Sequence, residues 1–552
     1  MLIKLQTVYK DKNLHNIYNN IMKNKHFSKH HNKYENDICS SEMNFQECEL
    51  AILRQAIDES EKIQGEKMVN SDIVQQIINI LEEFLRNHKC ICYGGTAINN
   101  ILPKEAQFYN RDIEIPDYDF YSKTPMEYAI KLADLYYKEG FTEVEAKAGM
   151  HYGTYKVFVN FIPIADITLL HEEIFDSIYD DSIIMDGIYY CPANFLRMNM
   201  FLELSRPAGD VSRWEKIFKR LTLLNKYYPF NPEIPCAKID FEKKYDSNIE
   251  DSKQLYYIIR DSFIDQDVIF FGGYATSLYS KYSSDDEQNK MRSIPDFDVI
   301  SEDPEKCAVI VVEKLINNNF KKVKTVVHDG VGEIIPKHIE IKVDNHTLAY
   351  IYYPIACHNY NIIHINNRKV KIATIDTILS FYLAFYYSKK PYYQKDRIIC
   401  MAKFLFDLEQ HNRLTNKGIF KRFSIECMGK QPTLAMIRSE KSEKFHELKK
   451  SRDSDEYNRW FLNYKPHAIV KVKKNPNEKK IESLYLSSIS ARIDEPTKKE
   501  IYEKISESIK NIKSFSDSTK TKTKTKTKSK STTKKSSLKS KTNSKTMRSH
   551  SK

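Results

Sequence analysis

Glycine and tryptophan are scarce in this chain, with 14 and two examples among 552 residues. Long apolar runs are absent, since no stretch reaches the 18 or more residues of a membrane-spanning helix. The start, MLIKLQTVYKDKNLHNIYNN, lacks the continuous apolar segment of a signal peptide. We therefore expect an intracellular protein with no membrane partner.

Cysteine occurs ten times, without the CxxC or Cys/His spacing of a zinc site. Cys90 and Cys92 flank one residue in an apolar run, a pattern typical of buried free thiols in a reducing compartment. The sequence argues against structural zinc and predicts unpaired cysteines.

The net charge of +12 is confined to the C-terminal tail. Residues 517–552 hold 13 Lys or Arg and one acid, so residues 1–516 are neutral overall. The tail composition (TKTKTKTKSKSTTKK) cannot bury apolar surface and predicts a disordered polycation, which binds phosphate polymers without sequence preference. A solubilising or packaging tail fits this composition equally well.

Two Gly-Gly pairs mark an internal duplication. Each pair follows an apolar strand (CICY, VIFF) and precedes an acidic segment, IPDYDF in the first copy and IPDFDV in the second. Both copies read strand, glycine turn, helix, acidic strand, helix, and a later apolar strand completes each. The paired positions are Gly94, Gly95, Asp117 and Asp119 in the first copy, and Gly272, Gly273, Asp296 and Asp298 in the second.

This pattern predicts an α+β fold with two tandem domains of small mixed sheets and flanking helices, a helical N-terminal region and a disordered basic tail. The predicted units are residues 1–70 (polar, helical), 71–235 (first copy), 236–412 (second copy), 413–515 (partly helical extension) and 516–552 (tail).

Acidic side chains in the first copy are placed for metal chemistry. Asp117 and Asp119 project from one face of a strand, and Asp166 in PIADIT follows on a later strand that we expect alongside. Three crowded carboxylates repel unless divalent cations lie among them. A pair of Mg²⁺ or Mn²⁺ ions can hold the attacking and leaving oxygens of an in-line displacement.

The first glycine pair predicts a phosphate site. Gly94 and Gly95 lie between a strand end and a helix N-terminus, where backbone amides can approach a phosphate, and Thr96 adds a hydroxyl. Together the turn and the carboxylates indicate nucleotidyl transfer, in which a hydroxyl attacks a nucleoside triphosphate and pyrophosphate leaves.

The combination of YGGTAIN, IPDYDF, PIADIT and ELSRPAGDVSRWEKIFKRL resembles the DNA polymerase beta-like nucleotidyltransferases. More narrowly it resembles the poly(A) polymerase catalytic subunits of large DNA viruses, the poxvirus and mimivirus type, over about residues 71–229 and more loosely to 412. The resemblance implies that Asp117 and Asp119 hold both metals, and that Asp166 ligates the catalytic ion and helps activate an RNA 3′-hydroxyl. It implies that Gly94, Gly95 and Thr96 bind the triphosphate.

Other nucleotide contacts are implied less specifically. The resemblance implies that a basic helix closes on the phosphates, although a solvated basic face fits the same spacing. Asn99, near the glycine turn, is the candidate for reading adenine. The basic residues concerned are Arg213, Lys216, Lys219 and Arg220.

The second copy is predicted to be catalytically silent. The sequence alignment sets Tyr274 against Thr96, beside the phosphate position, and Cys357 against Asp166. A neutral thiol is a poor magnesium ligand. We expect this copy to pack on the first and shape the RNA path.

The resulting function hypothesis is a template-independent polymerase that adds adenylate from ATP to RNA 3′ ends by two-metal transfer, as in viral mRNA polyadenylation. The resemblance implies the host cytoplasm, with packaging in the virion left open. The sequence leaves open a separate processivity subunit or self-association. The alternatives are a transferase of another nucleotide or acceptor, such as a uridylyl- or CCA-adding enzyme, and a non-catalytic RNA-binding scaffold.

Overall fold

The computed structural model describes residues 38–39, 43–112, 114–239, 241, 252–291 and 297–466. Asp296, the tail and most of the polar N-terminus lie outside these residues, so the expectations for them stay predictions. Among the residues described, no helix combines the length and apolarity needed to cross a membrane.

Two helices precede the first sheet, α1 (Phe45–Val69) and α2 (Asp72–Asn87). α1 begins with a reciprocal capping box, in which the side chains of Asn44 and Glu47 each accept a hydrogen bond from the other residue's backbone N–H. α2 packs on the core through the apolar stripe that its spacing predicts. The buried members are Ile73, Val74, Ile77, Leu81, Phe84 and Leu85.

The first copy forms a mixed sheet whose strands lie in the order 3-4-5-2-1-7-6 by chain position. β4 alternates buried and half-buried residues along its length, as expected of a strand with one face on the core. The elements are β1 (Ile91–Tyr93), α3 (Gly94–Ile101), β2 (Tyr118–Ser122), α4 (Pro125–Lys138), β3 (Val144–Ala148), β4 (Thr154–Val159), β5 (Ile162–Leu169), α5 (Glu172–Asp180), β6 (Ile183–Met185), β7 (Ile188–Tyr190), α6 (Ala193–Leu204) and α7 (Trp214–Tyr227).

The second copy repeats this arrangement. Its seven strands have the same order, 10-11-12-9-8-14-13, and corresponding neighbours run in the same relative directions. The elements are α8 (Ser252–Asp265), β8 (Ile269–Phe271), α9 (Gly272–Tyr279), α10 (Asp285–Met291), β9 (Phe297–Ile300), α11 (Pro304–Asn317), β10 (Val323–His328), β11 (His338–Val343), β12 (His346–Tyr352), β13 (His358–Ile365), β14 (Arg368–Ala373), α12 (Ile375–Tyr387) and α13 (Lys395–His411). The predicted α+β duplication is confirmed.

Equivalent helices join the copies. α6 packs against α12, with the rings of Phe195 and Tyr387 5.4 Å apart between centroids. The backbone N–H of Asn359 donates to the carbonyl of Ser205 at 3.0 Å, which adds a polar link at the end of α6.

The segment after the second copy adds one strand to the edge of each sheet. β15 (Cys427–Met428) pairs with β13, and β16 (Asn463–Tyr464) pairs with β3 in the first sheet. Between them lie α14 (Leu434–Leu448) and α15 (Asp455–Phe461). The described part of the extension therefore returns to the first copy.

The prediction of unpaired cysteines is correct for Cys90 and Cys92, which are free and buried, but wrong for six others. These form three disulfides, two of which join segments far apart in the sequence. The pairs are Cys39–Cys48, Cys236–Cys400 and Cys357–Cys427. No local pattern indicates the two long-range pairs, because their partners meet only in the folded chain.

Candidate active site

The three aspartates of the first copy lie on two adjacent parallel strands. Asp119 in β2 is directly opposite Asp166 in β5, and Asp117 immediately precedes β2. Residues separated by two positions on a strand face the same side, so this register places the carboxylates on one face of the sheet. The arrangement agrees with the position that the sequence predicts for the third acid.

Crowding and burial raise the pKa values of Asp117 and Asp119. Burial, followed by the charges of Asp117 and Asp166, raises the pKa of Asp119 to about 7. Burial and Asp166 likewise raise the pKa of Asp117. Lys156 on β4, directly opposite Asp166, forms an ion pair with it and opposes both shifts. A lysine therefore supplies positive charge where the aspartates repel one another.

The donor set suits hard divalent cations. Carboxylate oxygens are the protein ligands that Mg²⁺ and Mn²⁺ prefer, and cations relieve the repulsion that raises the pKa of Asp119. Within the described part of the chain, no three His, Cys, Asp or Glu side chains already converge on one metal position. Asp166 is instead paired with Lys156, whose ammonium contacts one of the two carboxylate oxygens.

Gly94 brings the phosphate turn against the aspartates. Its φ of +76° lies in the left-handed region, and a Cβ here would stand 2.5 Å from Oδ2 of Asp119. Only glycine permits this close approach. The Thr96 hydroxyl, predicted to contact phosphate, donates at 2.6 Å to the backbone carbonyl of Asp117. Thr96 therefore holds the first aspartate in place.

Arg220 lies over the second glycine of the turn. A Cβ on Gly95 would stand 2.6 Å from the Tyr109 hydroxyl and 3.0 Å from the Arg220 guanidinium. This guanidinium donates to the Tyr109 hydroxyl at 2.5 Å and lies over the Phe108 ring at 5.0 Å. Burial among these rings directs the cation at the glycine turn. The sequence analysis missed Tyr109 and Phe108 because they lie in a loop with no periodic pattern.

Asn99 fixes the loop that carries these rings. It is 2% exposed, and its side-chain oxygen accepts hydrogen bonds from the backbone N–H groups of Phe108 and Tyr109, both at 2.8 Å. These contacts engage the side chain with protein backbone, whereas reading adenine requires a polar group available to the base. We therefore propose that Asn99 positions this loop and does not read the base.

The remaining basic residues differ in their relation to the site. Arg213 forms an ion pair with Glu203 at 3.4 Å, and its charge opposes the raised pKa of Asp119. Lys216 is exposed on α7. Lys219 is 72% exposed and pairs with Glu215 one turn away on the same helix. The structure thus brings Arg213 and Arg220 toward the aspartates and turn, and leaves Lys219 at the surface.

The second copy repeats the turn but lacks the third carboxylate. Gly272 has φ +62° and packs against Asp298 as Gly94 does against Asp119. The residue opposite Asp298 in the adjacent parallel strand is Tyr350, whereas the sequence alignment sets Cys357 at that position. The alignment on Pro-Ile-Ala was wrong, because the chain leaves the sheet after Tyr352 and Cys357 precedes the next strand.

Two further details separate the copies. Glu340 lies opposite Tyr350, at the position that Lys156 holds opposite Asp166, so the charge beside the site is reversed. Tyr274 was expected beside a phosphate, but it is 3% exposed and packs on Phe270 and Phe297 in the core. Asp296 lies outside the described residues.

Comparison with known proteins gives a match to one family model and matches to several viral proteins. Residues 79–210 match the family model described as the poly(A) polymerase catalytic subunit. A protein of Acanthamoeba polyphaga mimivirus named for that subunit is 28% identical over 315 residues, which cover 50% of each chain. A likewise named protein of African swine fever virus (isolate Pig/Kenya/KEN-50/1950) is 30% identical over 188 residues, which are 33% of this chain and 39% of that relative.

A solved structure matches over most of its length. The crystal structure of the Megavirus polyadenylate synthase aligns with a TM-score of 0.64 and 20% identity, and covers 82% of this chain and 92% of its own. By sequence, however, the chain spans only about half the length of the mimivirus relative. The resemblance to viral poly(A) polymerase catalytic subunits is confirmed, by the family model over residues 79–210 and by the Megavirus structure for the fold.

Proposed function

We propose that this protein is a template-independent poly(A) polymerase that transfers adenylate from ATP to RNA 3′ ends, with its active site in the first copy. The observation that carries the proposal is the register of Asp119 against Asp166, with Asp117 beside them and the Gly94 turn packed on the pair. The family match over residues 79–210, which include all these positions, favours adenylate transfer over other nucleotidyl transfers.

The aspartates would hold two divalent ions, Mg²⁺ or Mn²⁺. When bound, such ions lower the pKa of an attacking hydroxyl and stabilise the charge on the leaving pyrophosphate. Asp117 and Asp119 would contact both ions and Asp166 one of them. Lys156 offsets part of the negative charge of the three aspartates through its ion pair with Asp166.

The other residues bind and orient the triphosphate. The N-terminus of α3 directs backbone amides at the phosphates, and the lack of a side chain at Gly95 lets the Tyr109 hydroxyl and the Arg220 guanidinium approach the turn. Arg220, held by Tyr109 and Phe108, supplies a fixed positive charge at this turn. The charge of Arg213 acts to lower the pKa of Asp119. The same charge would stabilise negative charge on a bound substrate. Lys216, exposed on α7 between Arg213 and Arg220, is proposed to contact the same phosphates.

The biological setting is part of the same proposal. Adenylation of viral mRNA in the host cytoplasm, with or without packaging in the virion, would use the RNA 3′ end and ATP as substrates. Processive addition would need either a separate subunit or a second copy of this chain, and the relatives' designation as a catalytic subunit favours the former.

An extension assay tests the proposal. The full chain is incubated with a labelled RNA oligonucleotide, Mg²⁺ or Mn²⁺, and each nucleoside triphosphate separately. We expect a ladder with ATP alone. Growth with UTP or CTP would point to a uridylyl- or CCA-adding enzyme, and no growth with any nucleotide would leave an RNA-binding scaffold.

A further inference from the structure

Aromatic side chains from the first copy and from the segment that follows the second copy meet at an exposed surface beside α7. Trp214 and Phe218 on α7 contact Phe423 from the segment that follows the second copy, with ring centroids 5.7 and 6.0 Å from Phe423. Phe218 is 47% and Phe423 38% exposed. We refer to Trp214, Phe218 and Phe423 as the aromatic platform. Three adjacent rings that are at least partly exposed form a candidate binding surface.

The backbone holds Phe423 in a conformation that it would not adopt without constraint. Its φ is +51°, in the left-handed region, which bulky residues rarely occupy. The flanking chain is fixed on the second sheet by the Cys357–Cys427 disulfide and by the Asn361 side-chain amide on β13, which donates to the Lys421 carbonyl at 2.8 Å. The ring is therefore presented at the surface by an anchored segment, which reduces the entropy lost when a ligand binds.

The charge around the platform is positive. Residues 211–219 and 413–425 together contain seven Lys or Arg and one acid, Glu215, which pairs with Lys219. Lys216, Lys417 and Lys421 are exposed. Exposed rings combined with basic residues are typical of single-stranded nucleic acid sites, where bases stack and phosphates pair with the cations.

The platform is connected to the candidate active site through one residue. Arg220, on the same helix as Trp214 and Phe218, lies over Gly95 of the glycine turn. The Trp214 indole N–H donates to the carbonyl of Glu203 at 3.0 Å, and Glu203 also pairs with Arg213. Helix α7 therefore links the platform to the glycine turn of the candidate site.

We propose that the aromatic platform stacks bases of the single-stranded RNA just upstream of the 3′ end. This inference rests on the proposed function and assigns its RNA subsite to a surface that α7 builds together with the segment after the second copy. It gives that segment, which is anchored on the second sheet, a role in substrate binding. A protein partner at this face is the competing occupant.

The test measures RNA binding without catalysis. Fluorescence anisotropy of a labelled oligo(A) RNA is recorded at fixed salt for the full chain with Phe218→Ala, Phe423→Ala and both. Stacking on one ring contributes a factor of about five to a hundred in affinity, so we expect a loss in that range for each variant. Phe161→Ala is the matched control, since Phe161 is 68% exposed and also has a positive φ, +65°, in the turn between β4 and β5.

Tryptophan fluorescence localises the contact. The chain has two tryptophans, so Trp460→Phe leaves Trp214 as the sole reporter. We expect oligo(A) RNA to quench Trp214 in this variant and to lose that effect when Phe218→Ala and Phe423→Ala are added. RNA affinity within twofold of the unmodified chain for the double variant, or unchanged Trp214 emission on RNA addition, would overturn the proposal. A change in oligomeric state with unchanged RNA affinity would assign the surface to protein contact. Because binding is measured directly, these results are independent of whether adenylate is added.

Discussion

Asp166 and Tyr350 hold equivalent positions in the two sheets. Each lies directly opposite the second aspartate of its own copy, on a parallel neighbouring strand. The carboxylate of Asp166 can complete a set of three oxygen ligands for hard cations. The phenol of Tyr350 cannot complete such a set in the second copy. We propose that a functional difference between the copies depends on this one register position.

Replacing Asp119 by Asn should stabilise the metal-free protein in a pH-dependent way. The pKa of Asp119 is raised from its ordinary value of 3.8 to about 7 in the folded chain. Ionisation of this carboxyl therefore lowers the free energy of unfolding as the pH rises between these two values. The loss is complete above pH 7 and absent below pH 3.8. We expect the melting temperature of Asp119→Asn in EDTA to exceed that of the unmodified chain by about 2–4 °C at pH 8 and to differ little near pH 4. An equal gain in melting temperature at both pH values would show that ionisation of Asp119 does not destabilise the folded protein.

Removing Lys156 should lower the divalent concentration that the enzyme requires. Its ammonium pairs with Asp166 and competes with a cation for the same oxygens. We expect Lys156→Ala to reduce the Mg²⁺ concentration for half-maximal RNA extension severalfold. Lys147→Ala is the control, since Lys147 lies opposite Lys156 in the sheet but pairs with Glu145. A higher Mg²⁺ requirement for Lys156→Ala would instead show that this lysine supports the metal-bound state.

The two glycine turns offer a matched pair of substitutions. Gly94→Ala and Gly272→Ala each place a Cβ at a positive φ against an aspartate, and the backbone conformation alone costs about 1–2 kcal/mol. Both should lower the melting temperature. Only Gly94→Ala should abolish binding of a fluorescent ATP analogue at a temperature where both variants are folded. Loss of binding in Gly272→Ala would reveal a nucleotide site in the second copy.

Tyr109 should affect ATP binding through Arg220. Tyr109→Phe keeps the ring but removes the hydroxyl that holds the guanidinium over Gly95. One such bond contributes about 1 kcal/mol, so we expect KM for ATP to rise about threefold to tenfold with little change in kcat. Lys219→Ala should leave KM unchanged, because Lys219 is exposed and pairs with Glu215. Equal effects of the two substitutions on KM would show that Arg220 does not bind the triphosphate.

Much of this architecture could be predicted from the sequence. The duplicated turns, the acidic strands and the alternation of strands and helices are local patterns, so the two-sheet fold followed from them. The sequence alignment of Cys357 with Asp166 was wrong because it followed the shared Pro-Ile-Ala. The strand register, which depends on where the chain leaves the sheet, places Tyr350 at that position instead. Lys156 and Tyr109 carried no pattern, and their roles arise from contacts across strands or loops.

Parallel extension assays of Asp119→Asn and Asp298→Asn test the central claim most directly. With RNA, ATP and Mg²⁺, the unmodified chain should add an adenylate ladder and Asp119→Asn should lose at least about a thousandfold in rate, since it removes a ligand to both proposed ions. Asp298→Asn should retain at least half of the activity if only the first copy is catalytic. Extension by Asp119→Asn, or loss of extension in a folded Asp298→Asn variant, would contradict the assignment of the active site to the first copy.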